Sequence, residues 1–191
     1  MLVQRFAVVS LTVLMLVLAG CAAPSPSSSG SPSPAGSAGS PPARPSTTAP
    51  ATAAPAVPAI LKFSGTTVDG KDFDGATLAA KPAVLWFWAP WCPKCRAQAA
   101  ETAKVAEEYR GRANVVGVAG LDKPDAMRGF VADQKVGGFP HLSDENGEVW
   151  RRFEVTEQST YVILDAAGNK VFSGNLVAGD GLAEKLSQLV G

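Results

Sequence analysis

The stretch Trp86-Phe87-Trp88-Ala89-Pro90-Trp91-Cys92-Pro93-Lys94-Cys95 decides how the rest of the chain is read. Ala83 to Trp88 is a continuous apolar run, as expected of a strand covered on both faces. It leads straight into a Cys-x-x-Cys pair. Pro93 suits the first turn of a helix, where its missing N–H costs nothing. The pair therefore stands at a strand-to-helix junction, with Cys92 at the helix start and Cys95 one turn deeper. A helix start leaves backbone N–H groups unpaired and carries partial positive charge. A thiolate at Cys92 is stabilised there, which lowers its pKa below that of an ordinary thiol. Lys94 adds a nearby cation, weakened by water. Cys95 then acts as the resolving thiol, attacking a mixed disulfide on Cys92 and releasing the product. A bridge meant for stability gains more by closing a long loop. Two other readings stay open: an inert structural disulfide, and half of a zinc site. The zinc site needs two further ligands, and downstream of residue 21 only His141 is on offer.

Upstream of this stretch the chain divides into two parts. Residues 1–20 carry Arg5 near their start and continue as a mostly apolar run from Phe6 to Ala19, too short to span a bilayer and typical of a signal peptide. Leu18-Ala19-Gly20-Cys21 closes the run and resembles a bacterial lipobox, in which the cysteine sulfur becomes a thioether to diacylglycerol. Two acyl chains, at ~0.8 kcal/mol per buried CH₂, give stable attachment where one is marginal. This accounts for the odd one of three cysteines. Residues 21–59 then hold ten of the fifteen prolines, with Arg44 as the only charge and no aromatic residue. Such a segment buries too little apolar surface to offset the entropy of ordering, so it is expected to be a disordered tether. Its reach is ~35 Å as a flexible coil and ~115 Å as extended polyproline.

The folded domain is expected over residues 60–191. Leu61 to Ser64 alternates like a half-buried strand, and Thr66 to Phe73 reads as a hairpin turning at Asp69-Gly70. The helix after Cys92 shows a small-residue face at Ala97, Ala100, Ala103 or Lys104, and Ala106. Asn114–Ala119 is the next strand, and Pro124 to Gln134 the next helix, with Met127, Phe130 and Val131 on one side. A short strand over Phe139–Leu142 and a short helix over Gly147–Phe153 follow. Thr160–Leu164, a turn at Asp165–Asn169 and Lys170–Ser173 form a hairpin, and Leu182 to Val190 a closing amphipathic helix. This order gives an α/β domain with helices on both faces of a central mixed sheet. The 17 basic and 17 acidic residues balance, with no basic stripe for nucleic acid.

Phe87 to Cys95 is similar to the active-site strand and helix of thioredoxin-fold thiol–disulfide interchange proteins. The insert between the site and the final hairpin resembles the extracytoplasmic TlpA/DsbE-like branch. Lys81 to Trp88 and Val116 to Asp122 look most like its actinobacterial secreted and lipid-anchored members. The resemblance covers about residues 60–190. It implies a thioredoxin-like fold with an N-terminal hairpin extension, no cofactor, and a groove beside the cysteines formed by Trp91, Pro93, Lys94, Gln158 and Ser159. It also implies exported protein thiols or disulfides as partners, together with a membrane redox partner that recycles the pair.

Four positions depart from the family pattern. Members usually carry a cis-proline just before the strand that opens the last hairpin. That slot falls on Ser159, since Tyr161 to Leu164 is a better strand than anything after Pro140. A cis bond without proline costs ~3–4 kcal/mol, so the Gln158–Ser159 peptide is expected to be trans. Gln98 stands where the branch often has Glu, and Ala100 where it has a kinking Pro. Trp86 takes the place of thioredoxin's buried Asp, and Glu101 points elsewhere, so the proton of Cys95 is expected to go to water. His141 reads as structural or surface-exposed. A copper-delivery site of the Sco kind would want Cys-x-x-x-Cys, one residue longer than here.

These observations favour a thiol–disulfide oxidoreductase anchored by lipid to the outer face of the cell membrane. Disulfide formation is the favoured direction, because a stabilised Cys92 thiolate favours the reduced form. Reduction, as in cytochrome c maturation, and a non-catalytic thioredoxin-fold binding module remain as alternatives.

Overall fold

The structure is a computed structural model, and it describes residues 56–190. The expected signal segment, Cys21 and the tether up to residue 55 lie outside the described residues. Packing begins at Val57, three residues before the boundary expected at Ile60, because both side chains lean on a buried apolar cluster.

The chain does not open with the strand expected over Leu61–Ser64. Ala59–Leu61 forms a single 3-10 turn that drives Leu61 into the core. Strand pairing starts with β1 (Ser64–Thr66), antiparallel to β2 (Asp72–Asp74), in the register Ser64 to Asp74 and Thr66 to Asp72. The turn between them passes through Gly70 at φ 82°, the left-handed conformation that the Asp69-Gly70 pair predicts.

The main sheet has five strands. These are β3 (Ala83–Trp88), β4 (Asn114–Ala119), β5 (His141–Ser143), β6 (Thr160–Leu164) and β7 (Lys170–Asn175), in the order β5-β4-β3-β6-β7. β3, β4 and β5 run parallel, β6 is antiparallel to β3, and β7, antiparallel to β6, completes the mixed sheet. Parallel neighbours need crossover connections. α1 (Pro93–Glu108) links β3 to β4, and α2 (Pro124–Asp133) links β4 to β5. α3 (Glu148–Arg152) and α4 (Leu182–Ser187) follow β5 and β7.

Every residue of β3 is buried, and its two faces feed two cores. Val84, Trp86 and Trp88 pack with Ala99 and Val105 of α1, Met127 and Phe130 of α2, and Leu182 and Leu186 of α4. Ala83, Leu85 and Phe87 pack with Val149, Trp150 and Phe153 around α3, and with Leu61 and Leu78. Each large side chain so buried contributes about 1.5–3 kcal/mol. The strand that carries the cysteines is therefore the best-anchored part of the sheet.

The inward face of α1 differs from expectation. Ala97 and Ala100 are exposed, while Cys95, Gln98, Ala99, Thr102 and Val105 turn inward. Two polar side chains occupy this face because both find hydrogen-bond partners inside. Smaller shifts occur downstream: β5 starts at His141 rather than Phe139, and α4 ends at Ser187, with Leu189 and Val190 still leaning on the core.

Candidate active site

The apolar strand ends at Trp88, and Ala89-Pro90-Trp91 turns the chain into α1. The Cys92 N–H donates to the Ala89 carbonyl at 3.1 Å and tightens that turn. Cys92 is the N-cap of α1, Pro93 occupies the first turn, and the Cys95 N–H donates to Cys92 Sγ at 3.0 Å. One orphan donor of the helix start is thus aimed at the sulfur that would carry negative charge after reduction. Cys92 and Cys95 are joined in a disulfide with Cα atoms 5.3 Å apart.

Both cysteines are deep, at 1% and 0% exposure. Cys92 meets a groove of about 350 Å³, walled by Pro93 and Lys94 on one side and by Glu157, Gln158, Ser159 and Asn175 on the other. Lys94 is exposed and Gln158 half-buried. Trp91 is 49% exposed beside Cys92, and its Nε1–H donates to the Leu121 carbonyl at 3.3 Å. Leu121 itself is exposed and left-handed, at φ 62°, so the two form an apolar rim. Pro140 lies ahead of β5 and lines other cavities, away from the cysteines.

Ser159 immediately precedes β6, is 3% exposed, and has φ 65°. A residue with a Cβ costs about 1–2 kcal/mol in this conformation. Two side-chain amides hold it there. Gln98 Nε2 donates to the Ser159 carbonyl at 3.0 Å and to the Leu176 carbonyl at 2.9 Å. Asn175 Nδ2 donates to the same Ser159 carbonyl at 2.9 Å and to Ser159 Oγ at 2.6 Å. The other end of Gln98 is fixed by Trp86, whose indole N–H donates to Oε1 at 2.8 Å. Three of the four positions read as departures from the family, Trp86, Gln98 and Ser159, are therefore members of one buried network, while Ala100 is exposed. Asn175 was not singled out in the sequence. A surface-type residue closing a strand carries no signal that it points at a carbonyl in the preceding strand's entrance.

Glu157 is the one acid among the groove-lining residues. Glu101 lies against Gly179 and pairs with Lys104 at 3.6 Å. Tyr161 shares a 2.6 Å hydrogen bond with Thr102, and burial pushes its phenol well above the usual range. His141 is 2% exposed. Trp88 Nε1–H donates to its Nδ1 at 3.2 Å, so Nε2 carries the proton and donates to the Val136 carbonyl at 2.9 Å. Burial pushes its pKa down to about 4. Both ring nitrogens are engaged, and no cluster of three His, Cys, Asp or Glu side chains able to hold a metal occurs among the described residues.

A thioredoxin-like sheet that presents a Cys-x-x-Cys disulfide at the mouth of its first helix defines a class: the protein is a thiol–disulfide oxidoreductase of the thioredoxin/DsbE type. Residues 53–170 match the model of the AhpC/TSA family, and the chain belongs to that family. It is 41% identical over 118 residues to the soluble secreted antigen MPT53 of Mycobacterium tuberculosis, covering 62% of this chain and 67% of that protein. It is 31% identical over 108 residues to the thioredoxin-like protein YneN of Bacillus subtilis, covering 56% and 63%. Among solved structures, it is similar to MTB dsbF in its mixed oxidized and reduced forms, with a TM-score of 0.66 and 44% identity over 70% of this chain and 99% of that one. A secreted Mycobacterium tuberculosis disulfide oxidoreductase homologous to E. coli DsbE gives a TM-score of 0.63 and 36% identity, covering 68% and 98%.

Proposed function

We propose that this protein works outside the cytoplasm and forms disulfides in exported proteins, held to the outer face of the membrane by lipid on Cys21. The observation that carries the direction is the Cys95 N–H aimed at Cys92 Sγ at 3.0 Å, at the start of a sixteen-residue helix. Both features stabilise a thiolate at Cys92, hence the reduced enzyme, hence a more oxidising couple. Relatives described as secreted support the location.

In this reading a substrate thiolate enters the groove and attacks Cys92 Sγ. The Cys92–Cys95 bond breaks, and Cys95 leaves as a thiolate that takes up a proton from water. A second substrate thiolate then attacks its own mixed-disulfide sulfur. Cys92 departs as a thiolate, so the substrate has lost two electrons and the enzyme has gained them. Trp91 offers an apolar rim, Pro93 and Lys94 one wall, and Gln158 and Ser159 the other. A membrane redox partner takes the electrons and restores the disulfide. No cofactor enters these steps.

The test is a reduction potential measured together with trapping. A potential near ~−120 mV supports the oxidase direction, and one near ~−270 mV or lower turns the reading to a reductase. Cys95→Ser should accumulate mixed disulfides between Cys92 and exported proteins, and Cys92→Ser should accumulate none. Cys21→Ala should release the protein from the membrane fraction.

A further inference from the structure

We propose that Gln98 and Asn175 are positioning residues that shape the Gln158–Ser159 wall of the exchange groove, and that Gln98 can do this only as an uncharged amide. The inference rests on the reading of that groove as the place where a mixed disulfide forms on Cys92.

The hydrogen bonds leave Gln98 one orientation. Trp86 Nε1 can only donate, so the amide oxygen must face it at 2.8 Å. The amide nitrogen then faces two carbonyls, Ser159 O at 3.0 Å and Leu176 O at 2.9 Å, and both of its protons are used. Gln98 is 1% exposed, so water cannot replace any of these bonds. Asn175 closes the arrangement from the exposed end of β7, with one nitrogen on both the carbonyl and the hydroxyl of Ser159. Ser159 is thereby held left-handed by donors from α1 and β7. A proline in that slot would fix the backbone by its ring. Here the same stretch is fixed by amides from 61 and 16 residues away.

A glutamate at position 98 has nearly the same shape but no second donor. Ionised, it would set negative charge against two carbonyl oxygens. Protonated, it keeps one donor and restores part of the network. The charged groups nearby are Glu101 and Lys104 on the same helix and Lys94 and Glu157 on the groove walls. They are common to both proteins and drop out of the comparison.

The full chain, Asn175→Ala and Gln98→Glu are compared as oxidants of reduced, unfolded ribonuclease. Reduced Cys92 is also titrated with iodoacetamide, and the Trp86 indole N–H resonance is followed. Asn175→Ala should raise KM about fivefold or more with kcat and alkylation rate within twofold. Gln98→Glu should do the same above pH 7 and regain most of the wild-type KM near pH 5.5, with the Trp86 resonance moving in step. The proposal is overturned if Asn175→Ala leaves KM unchanged. It is also overturned if Gln98→Glu speeds the attack of Cys95 on the mixed disulfide, which returns the substrate thiol and would make position 98 a proton acceptor. Should Gln98→Glu fail to fold, the exposed Asn175 carries the test alone. If the wild-type protein does not oxidise ribonuclease, the proposed direction fails. The positioning claim then stands or falls on whether Asn175→Ala shifts the Ser159 amide and the Trp86 indole resonances.

Discussion

Acid should weaken this protein from about pH 6.5 downward, through one buried imidazole. His141 has a folded-state pKa pushed down to about 4 by burial, against 6.5 for a free side chain. The folded state therefore refuses a proton that the unfolded chain accepts. Stability is full above pH 6.5, falls as the pH drops below that value, and levels off near pH 4. Each unit of difference is worth 1.36 kcal/mol, so the loss between pH 7 and 4.5 is about 2 kcal/mol. The carboxylates with lowered pKa values, Asp69, Glu154 and Asp165, are held down by Lys71, Lys170 and Asn169. The stability they supply is lost only as the pH falls below their ordinary values of 3.8 to 4.5, at the acid end of this window. Urea unfolding of the oxidised protein at half-unit steps of pH measures the slope directly. His141→Gln, which keeps hydrogen-bonding atoms but cannot charge, should be less stable at pH 7 and flat between pH 7 and 4.5. A wild-type curve that is equally flat, or a variant with the same slope, would refute the argument.

Gly117 pairs with His141 across β4 and β5, and an added Cβ would meet the His141 ring and lie 2.8 Å from Trp88 Nε1. Gly117→Ala should therefore cost several kcal/mol in chemical denaturation, whereas Gly129→Ala, which meets open space inside α2, should be neutral or stabilise by up to ~1 kcal/mol. Trp86→Phe strands the Gln98 Oε1 acceptor and should cost about 1–3 kcal/mol beyond lost packing. Trp150→Phe should cost less, since Trp150 Nε1 has no partner among the described residues; paired thermal melts decide the order. Trp91→Ala, at a half-exposed position, should leave the melting temperature within a few degrees while slowing exchange with protein thiols more than with dithiothreitol.

The parts of this fold legible in the sequence were those whose cause is local. Ala83 to Trp88 announces a doubly covered strand by its unbroken apolarity, and Pro93 marks the helix start. Asp69-Gly70 and the turn at Asp165 to Asn169 mark hairpins by backbone chemistry that neighbours do not override. Met127 and Phe130 fall on the core side of α2 by helical spacing. The inward face of α1 was misread for the opposite reason. Gln98 and Thr102 count as surface residues until Trp86, Ser159 and Tyr161 arrive from 12, 61 and 59 residues away. Leu61 and Phe63 alternate as a strand would, yet Leu61 enters the core from a turn. Phe63 instead sits edge-on to Phe153, with ring centroids 5.9 Å apart. The left-handed backbone at Ser159 had no local signal, because serine there is held by distant donors rather than favoured by its own chemistry.

Trp86 and Trp88 share one buried cluster with Cys92 and Cys95. An excited indole gives up an electron readily, and a nearby disulfide accepts one, whereas two thiols do not. The emission of these tryptophans should therefore depend on the state of the sulfur pair, dimmer when bridged than when open. Fluorescence followed through reduction and reoxidation checks whether the molecule thus carries an optical gauge of its own turnover, readable without any added dye.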